Sequence, residues 1–254
     1  MTKVSDIFSP ETVMFHLYGM VGATTGGVAV ELGPERERRM LVPLLLARGK
    51  AVSRLELTEW MWDDDAPVNA TDDIEEHLSE LRRRLAAMGF RQTMVNRDQV
   101  CRLTIPHEQV DVHRLHTVVA SVDQLDDRTA AARLRVALDL CEGKPLAGLT
   151  GRRIERCRQN LLEEHRNAQI ALIRTDFRLG RAGEHVPDLV RLAHERLQDT
   201  EVVGLAVFAL RHTGRQTEAA TLYDRYREHL VELGMSVPKR MLDLRPRLSQ
   251  MESH

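Results

Sequence analysis

Residues 69–88 read NATDDIEEHLSELRRRLAAM. Apolar side chains recur there at Ile74, Leu78, Leu81, Leu85 and Met88, spaced alternately by four and three residues, which is one face of an α-helix. The segment is therefore a helix with one side in a core. Its far end carries Arg82, Arg83 and Arg84, a compact cationic cluster suited to phosphates or guanine edges. Its beginning carries Asp72, Asp73, Glu75 and Glu76, which the helix macrodipole favours at an N-terminus. The alternative for the arginines is a solvated face with Ser79, Glu76 and Glu75 near the lower turn, Glu80 reading as too close in sequence to be an acid partner.

Residues before this helix give it a setting. Phe15 and Leu17 alternate with His16 and Tyr18, Thr24-Thr25-Gly26-Gly27 supplies a turn, and Val28, Val30 and Leu32 alternate again, which predicts a small antiparallel sheet. The glycines of GMVGATTGG (19–27) do not close a strand and open a helix, so a dinucleotide loop is excluded. A helix over 34–47 buries Met40, Leu41, Leu44 and Leu45, with Pro34 in its first turn. Ser53-Arg54-Leu55-Glu56 is a capping box that opens a second helix ending near Trp62, and both Trp60 and Trp62 read as core. Asp63-Asp64-Asp65 and Pro67 form the loop before the helix of 69–88. After it, 93–95 and 100–105 alternate around Asn96-Arg97-Asp98-Gln99, a β-hairpin. Sheet, helix, helix, helix, hairpin is the order of a winged helix-turn-helix, whose third helix enters the major groove.

From Val110 onward the periodicity is helical, with helices expected over 110–123, 127–142, 151–180, 183–197, 200–213, 215–233 and 238–250. Leu205, Ala209, Gly214, Ala219, Ala220 and Tyr223 have the small-residue and aromatic spacing of a tetratricopeptide-type pair. The fold class is thus mainly α with a small β component: a flexible leader at 1–13, a winged helix-turn-helix at 14–106, and an all-α tetratricopeptide-like domain at 107–254.

Bulk properties narrow the function. The chain has 254 residues, 43% of them hydrophobic, and a net charge of −2, so nucleic-acid binding must come from local patches. Its three cysteines are widely spaced, and there is no signal peptide or membrane span, which points to the cytoplasm and to no membrane partner. No catalytic triad, paired-carboxylate motif or phosphate loop stands out; Gly143-Lys144 lacks the glycine spacing of a Walker loop. The expectation is no enzyme and no cofactor. His113 and His116 beside Glu108 and Asp111 form only half a metal site, so no metal is expected. Arg152, Arg153, Arg156 and Arg158 crowd the start of the long helix, to be solvated, to dock on the winged helix, or to meet DNA or polymerase.

Taken together, LGPERERRMLVPLLLARGKAVSRLELTEWMW (32–62), HLSELRRRL (77–85), VDVHRL (110–115), ALDLCEGKPLAGL (137–149) and RHTGRQTEAATLYDRYREHLVELGMSVPKRMLDL (211–244) resemble the Streptomyces antibiotic regulatory protein family. The likeness spans about residues 15–250. It implies a response-regulator-type winged helix followed by a bacterial transcriptional activation domain. It further implies a pathway-specific activator of an antibiotic gene cluster that binds direct repeats in double-stranded promoter DNA, self-associates side by side there, and contacts RNA polymerase holoenzyme. Lys50, Arg54 and Arg97 are the expected backbone contacts, and His77, Ser79 and Arg82 the expected base readers. Asn69, Thr71, Arg83, Arg84 and Arg102 complete the candidate surface.

The chain departs from the family at Glu76 and Glu80, where neutral or basic residues are usual, and at Val100-Cys101, where the wing usually has Gly-Tyr. Residues 1–106 hold 13 Lys and Arg against 16 Asp and Glu. These departures define an alternative: an interaction protein with weakened or lost DNA binding that takes a peptide or protein partner. A ligand sensor with a pocket among the C-terminal helices is a third reading.

Overall fold

The computed structural model describes residues 12–242. Most of the expected leader and the end of the expected helix over 238–250 lie outside them; Val13 already opens β1 (Val13–His16). This strand pairs antiparallel with β2 (Gly22–Thr25), which pairs with β3 (Val28–Val30). Thr24 and Thr25, expected in the turn, belong to β2. Gly26 and Gly27 make the turn alone with φ of 57° and 81°, the left-handed pair that a two-residue hairpin loop demands. Regular pairing stops at His16, because the amides of Leu17 and Tyr18 are held elsewhere, by Asp111.

The three helices follow as α1 (Glu35–Leu46), α2 (Arg54–Trp62) and α3 (Ala70–Ala87). Met40, Leu41, Leu44 and Leu45 are buried as the periodicity predicts, and Pro34 stands just before the first turn of α1. The Ser53 hydroxyl accepts the Glu56 amide at 3.1 Å, one half of the expected capping box, while the Ser53 backbone belongs to a strand the sequence did not disclose. That strand, β4 (Ala51–Ser53), joins β5 (Met94–Arg97) and β6 (Val100–Leu103) in a second antiparallel sheet of order β4-β6-β5. Three residues with one inward Val give too little alternation to read, and the strand exists because β6 offers it an edge.

Beyond a 3-10 turn at His107–Gln109 come α4 (Asp111–Ser121), α5 (Asp127–Asp139) and α6 (Arg152–Arg178). The chain packs as two units that divide between Gln169 and Ile170. The sequence places its domain boundary at Pro106, where the chemistry of the pattern changes. The packing division comes later because one apolar core runs from Phe15, Leu44, Leu78 and Leu103 through Val110 and Leu115 to Leu161 and Ala168.

Buried polar groups hold this first unit together. Asp111, fully buried, accepts from the backbone amides of Leu17 at 2.8 Å and Tyr18 at 2.9 Å. Burial pushes its carboxyl up to about 7 against the pull of the Tyr18, Val112 and Leu17 amides. The Tyr18 hydroxyl donates to the Leu161 carbonyl at 2.6 Å, and the Leu146 and Ala147 amides donate to the Leu17 and Gly19 carbonyls, each at 2.8 Å. His116 lies 3.0 Å from Glu164, so two residues of the candidate metal half-site, His116 and Asp111, are turned to separate partners.

The second unit contains α7 (Val186–Glu195), α8 (Thr200–His212), α9 (Gln216–Glu232) and α10 (Lys239–Leu242). Asp199 caps α8 by accepting the Glu201 and Val202 amides at 3.1 and 3.2 Å. Of the residues with tetratricopeptide-type spacing, Ala209, Ala219 and Tyr223 are buried in its core, Leu205 is partly buried against it, and Gly214 is exposed in the turn between α8 and α9. Among the described residues no helix is long and apolar enough to cross a membrane.

Candidate nucleic-acid interface

The candidate surface is built on α3, which has four sides. Ile74, Leu78, Leu81 and Leu85 are fully buried and fix the helix rotation. At about 100° per residue, Thr71, Glu75 and Arg82 then face the β5–β6 hairpin, His77 and Arg84 face α1, and Asp72, Glu76, Ser79 and Arg83 form the outer ridge.

On the hairpin side, Glu75 pairs with Arg54 of α2 and accepts from the Asn96 amide at 3.1 Å, while Arg54 donates to the Asn96 carbonyl oxygen at 3.3 Å. Three elements meet at this node, which sets the hairpin beside α3. Arg54 is thereby a structural group, with its side chain 15% exposed, rather than a free phosphate contact. Glu75 is likewise taken across to α2 and does not partner the arginine cluster. Burial pushes the Cys101 thiol of β6 up to about 11, against the pull of Arg82 and Arg54, and Arg82 lies two turns beyond Glu75 on the same side of α3.

On the α1 side, His77 does not reach the outer surface. Its Nδ1 lies 3.0 Å from Glu37 Oε1, the two side chains being 15% and 6% exposed. Arg84 lies across Gly33, where a Cβ would fall 2.8 Å from Arg84 Nε, so this guanidinium packs against the backbone leading into α1.

The arginine cluster is divided three ways. Glu80, expected to be too close to pair, accepts from Arg83 at 2.9 and 2.6 Å and stands 2.9 Å from Arg84. Three and four residues on a helix are neighbours, so the exclusion holds for Arg82 alone. The Arg83 guanidinium, through that hydrogen-bonded fork, holds the Glu80 carboxyl below the usual carboxylate range. Arg82 is exposed and has no ion pair or hydrogen bond among the described residues.

Of the remaining candidates, Lys50, Thr71, Ser79 and Arg97 are exposed. Asn69 is exposed too and donates to Asp73 at 2.8 Å. Arg97 stands at the tip of the hairpin, whereas Arg102 sits opposite Ala51 and Val95 on the sheet face turned to solvent and away from the buried Cys101 side. The structure thus puts Thr71 and Arg82 on the wing side of α3 and Ser79 on the adjoining outer ridge. It removes Arg54, His77 and Arg84 from the accessible set and leaves Arg102 on another face.

A second polar region was not foreseen as a site. Asp63 accepts the Arg152 and Arg153 amides, both at 2.9 Å, and so caps α6 from the end of α2. Arg152 pairs with Asp64, Arg153 with Glu59, and Arg153 lies 5.8 Å over the ring of the buried Trp60. Arg39 donates to the Met61 carbonyl at 3.0 Å and also to that of Thr150. Of the three fates open to the arginines of α6, Arg152 and Arg153 take docking on the winged helix, and Arg156 is exposed. The sequence signals are the arginine run itself, with docking among its fates, and Asp63-Asp64-Asp65, which also reads as an ordinary polar loop.

Comparison with known proteins follows from this geometry. Residues 110–248 match the family described as bacterial transcriptional activator domain. The chain is 27% identical over 252 residues to the regulatory protein AfsR of Streptomyces griseus, covering 95% of this chain and 24% of AfsR. It is 25% identical over 253 residues to the regulatory protein DnrI of Streptomyces peucetius, covering 91% of this chain and 90% of DnrI. The chain therefore spans about a quarter of AfsR but nearly all of DnrI. The structure of Mycobacterium tuberculosis EmbR, solved in complex with a low-affinity phosphopeptide, superposes with a TM-score of 0.82 at 24% identity, covering 91% of this chain and 63% of that one. It has the same fold. With a winged helix ahead of the matched domain, the chain is similar to the Streptomyces regulatory proteins AfsR and DnrI and belongs to the bacterial transcriptional activator domain family.

Proposed function

We propose that the chain is a sequence-specific activator that binds double-stranded promoter DNA through α3 and the β5–β6 hairpin. The observation that carries this is Arg82, an exposed guanidinium with no hydrogen bond or ion pair among the described residues, on the side of α3 where Glu75 meets Asn96 of the hairpin. Arg97 at the hairpin tip and Lys50 before β4 supply backbone contacts, and Ser79 adds a hydroxyl that can donate or accept at a base edge. The family type extends the proposal to direct repeats, side-by-side self-association, recruitment of RNA polymerase holoenzyme and control of an antibiotic gene cluster.

The test is a footprint on promoters of the gene cluster, followed by titration against salt. Protection at low salt and a steep negative slope of log affinity against log salt are expected, since each neutralised phosphate releases counterions. Absence of protection at low salt overturns the proposal. A second reading, a protein partner in place of DNA, rests on Asp72 and Glu76, two exposed carboxylates on the outer ridge; it requires binding whose salt dependence is shallow.

A further inference from the structure

The outer ridge of α3 is not uniform. Asp72, Glu76, Ser79 and Arg83 lie about half a turn from the buried stripe of Ile74, Leu78, Leu81 and Leu85, and all four are exposed. Arg83 is committed to Glu80 through a two-bond fork. Asp72 belongs to the first turn, where the macrodipole accounts for it. Glu76 lies beyond that turn, near the line directly opposite the core, and has no hydrogen bond or ion pair among the described residues. Its neighbours Asn69, Asp73, Glu75, Glu80 and Arg83 are all occupied with other groups.

We propose that Glu76 is a specificity-determining residue whose carboxylate accepts a hydrogen bond from the N4 amino group of a cytosine in the major groove. The inference rests on the DNA-binding reading above. A carboxylate is an acceptor only, and against phosphate it repels. In the major groove the amino donors are cytosine N4 and adenine N6. Adenine sets the N7 lone pair next to its amino group, where it opposes the second carboxylate oxygen. Cytosine presents no acceptor beside N4. Arg82, six residues further along and so about 9 Å up the helix axis, remains free to offset the charge of Glu76 at a phosphate or a guanine.

The experiment is selection from randomised duplexes at low salt with the full chain, comparing wild type with Glu76→Ala and Glu76→Gln. The wild type should enrich one fixed cytosine per half-site. Glu76→Ala should lose that preference by roughly 5- to 150-fold while the other positions keep theirs, and Glu76→Gln should move it towards adenine. A duplex carrying pyrimidin-2-one, which lacks the 4-amino group, should weaken wild type by the same factor and leave Glu76→Ala unchanged. If Glu76→Ala tightens binding to every sequence alike and leaves the motif intact, Glu76 only repels and the proposal is overturned. If the wild type enriches nothing, the DNA reading itself fails, an outcome seen before any substitution is made.

Discussion

The arginines at the end of α3 and those at the start of α6 are alike in sequence, each a cationic run beside an apolar stripe. In α3 the neutralising acid is local: Glu80, on the same helix, takes Arg83 and Arg84 and leaves Arg82 free. In α6 the acids at the helix start are remote, Glu59, Asp63 and Asp64, while Arg158 pairs with Glu155 of its own helix and turns inward to the carbonyls of Pro145, Leu146 and Leu149. A run of arginines thus has no fixed meaning. Where the nearest acids sit decides whether it faces a ligand or joins the fold.

The largest effect that separates the two clusters is expected at Arg158. Its guanidinium is 5% exposed and donates at 2.8, 3.0 and 2.8 Å to the three carbonyls just named. Arg158→Met keeps most of the apolar stem but orphans those carbonyls, at a cost of about 3–5 kcal/mol of stability. Urea unfolding measures it. A loss under about 1 kcal/mol would show that water or the loop rescues the carbonyls, and the contrast between clusters would weaken.

Arg82→Ala should do the reverse. The side chain is exposed and makes no hydrogen bond or ion pair among the described residues, so stability should hardly change, while DNA affinity falls by about 1–3 kcal/mol if a base is contacted. Should it touch only phosphate, affinity falls evenly across sequences and the salt slope drops by about one. Unchanged affinity for every duplex would place α3 among structural helices along with α6.

These fates explain how much was readable. The core stripe of α3 and the helix order follow from periodicity, because Ile74, Leu78, Leu81 and Leu85 face inward for reasons contained within 18 residues. The pairings of His77 and Arg54 within the fold are not legible, because their partners, Glu37 and Glu75, lie 40 and 21 residues away in sequence. The same distance hid the role of Asp63, whose clients stand about 90 residues on. β4 went unread since three residues carry no period. Glu80 was different: its partners were legible, and the spacing rule simply admits Arg83 and Arg84 while excluding Arg82.

Asp63 supplies a smaller test with a pH signature. Asp63→Ala leaves the first amides of α6 without their acceptor and should cost about 1–2 kcal/mol. Partial burial raises the Asp63 carboxyl, but the Arg153 and Arg152 amides outweigh it, and the net value lies below the ordinary carboxylate range. A folded-state value below the unfolded one means the stabilisation is complete above the ordinary aspartate range and is lost as pH falls through the depressed value. Wild type and Asp63→Ala should therefore differ in melting temperature at neutral pH and converge in acid. A difference that persists at pH 2 would assign the effect to packing instead of the cap.

The smallest expected effect is at Glu80, and it bears most directly on why the two clusters differ. Glu80→Gln removes the charge that holds Arg83 and Arg84 while leaving an amide of the same size. Arg83 should then be free to swing towards DNA, whereas Arg84, packed over Gly33, should stay. The melting temperature should hardly change, because these ion pairs are at the surface. In a mobility-shift titration the salt slope should steepen by about one, not two, with binding to all duplexes tightened alike. A steepening of two would mean that Arg84 is held by Glu80 and not by its packing against Gly33. No steepening would mean that Arg83 does not face the phosphates, and that the outer ridge of α3 meets DNA only through its first half.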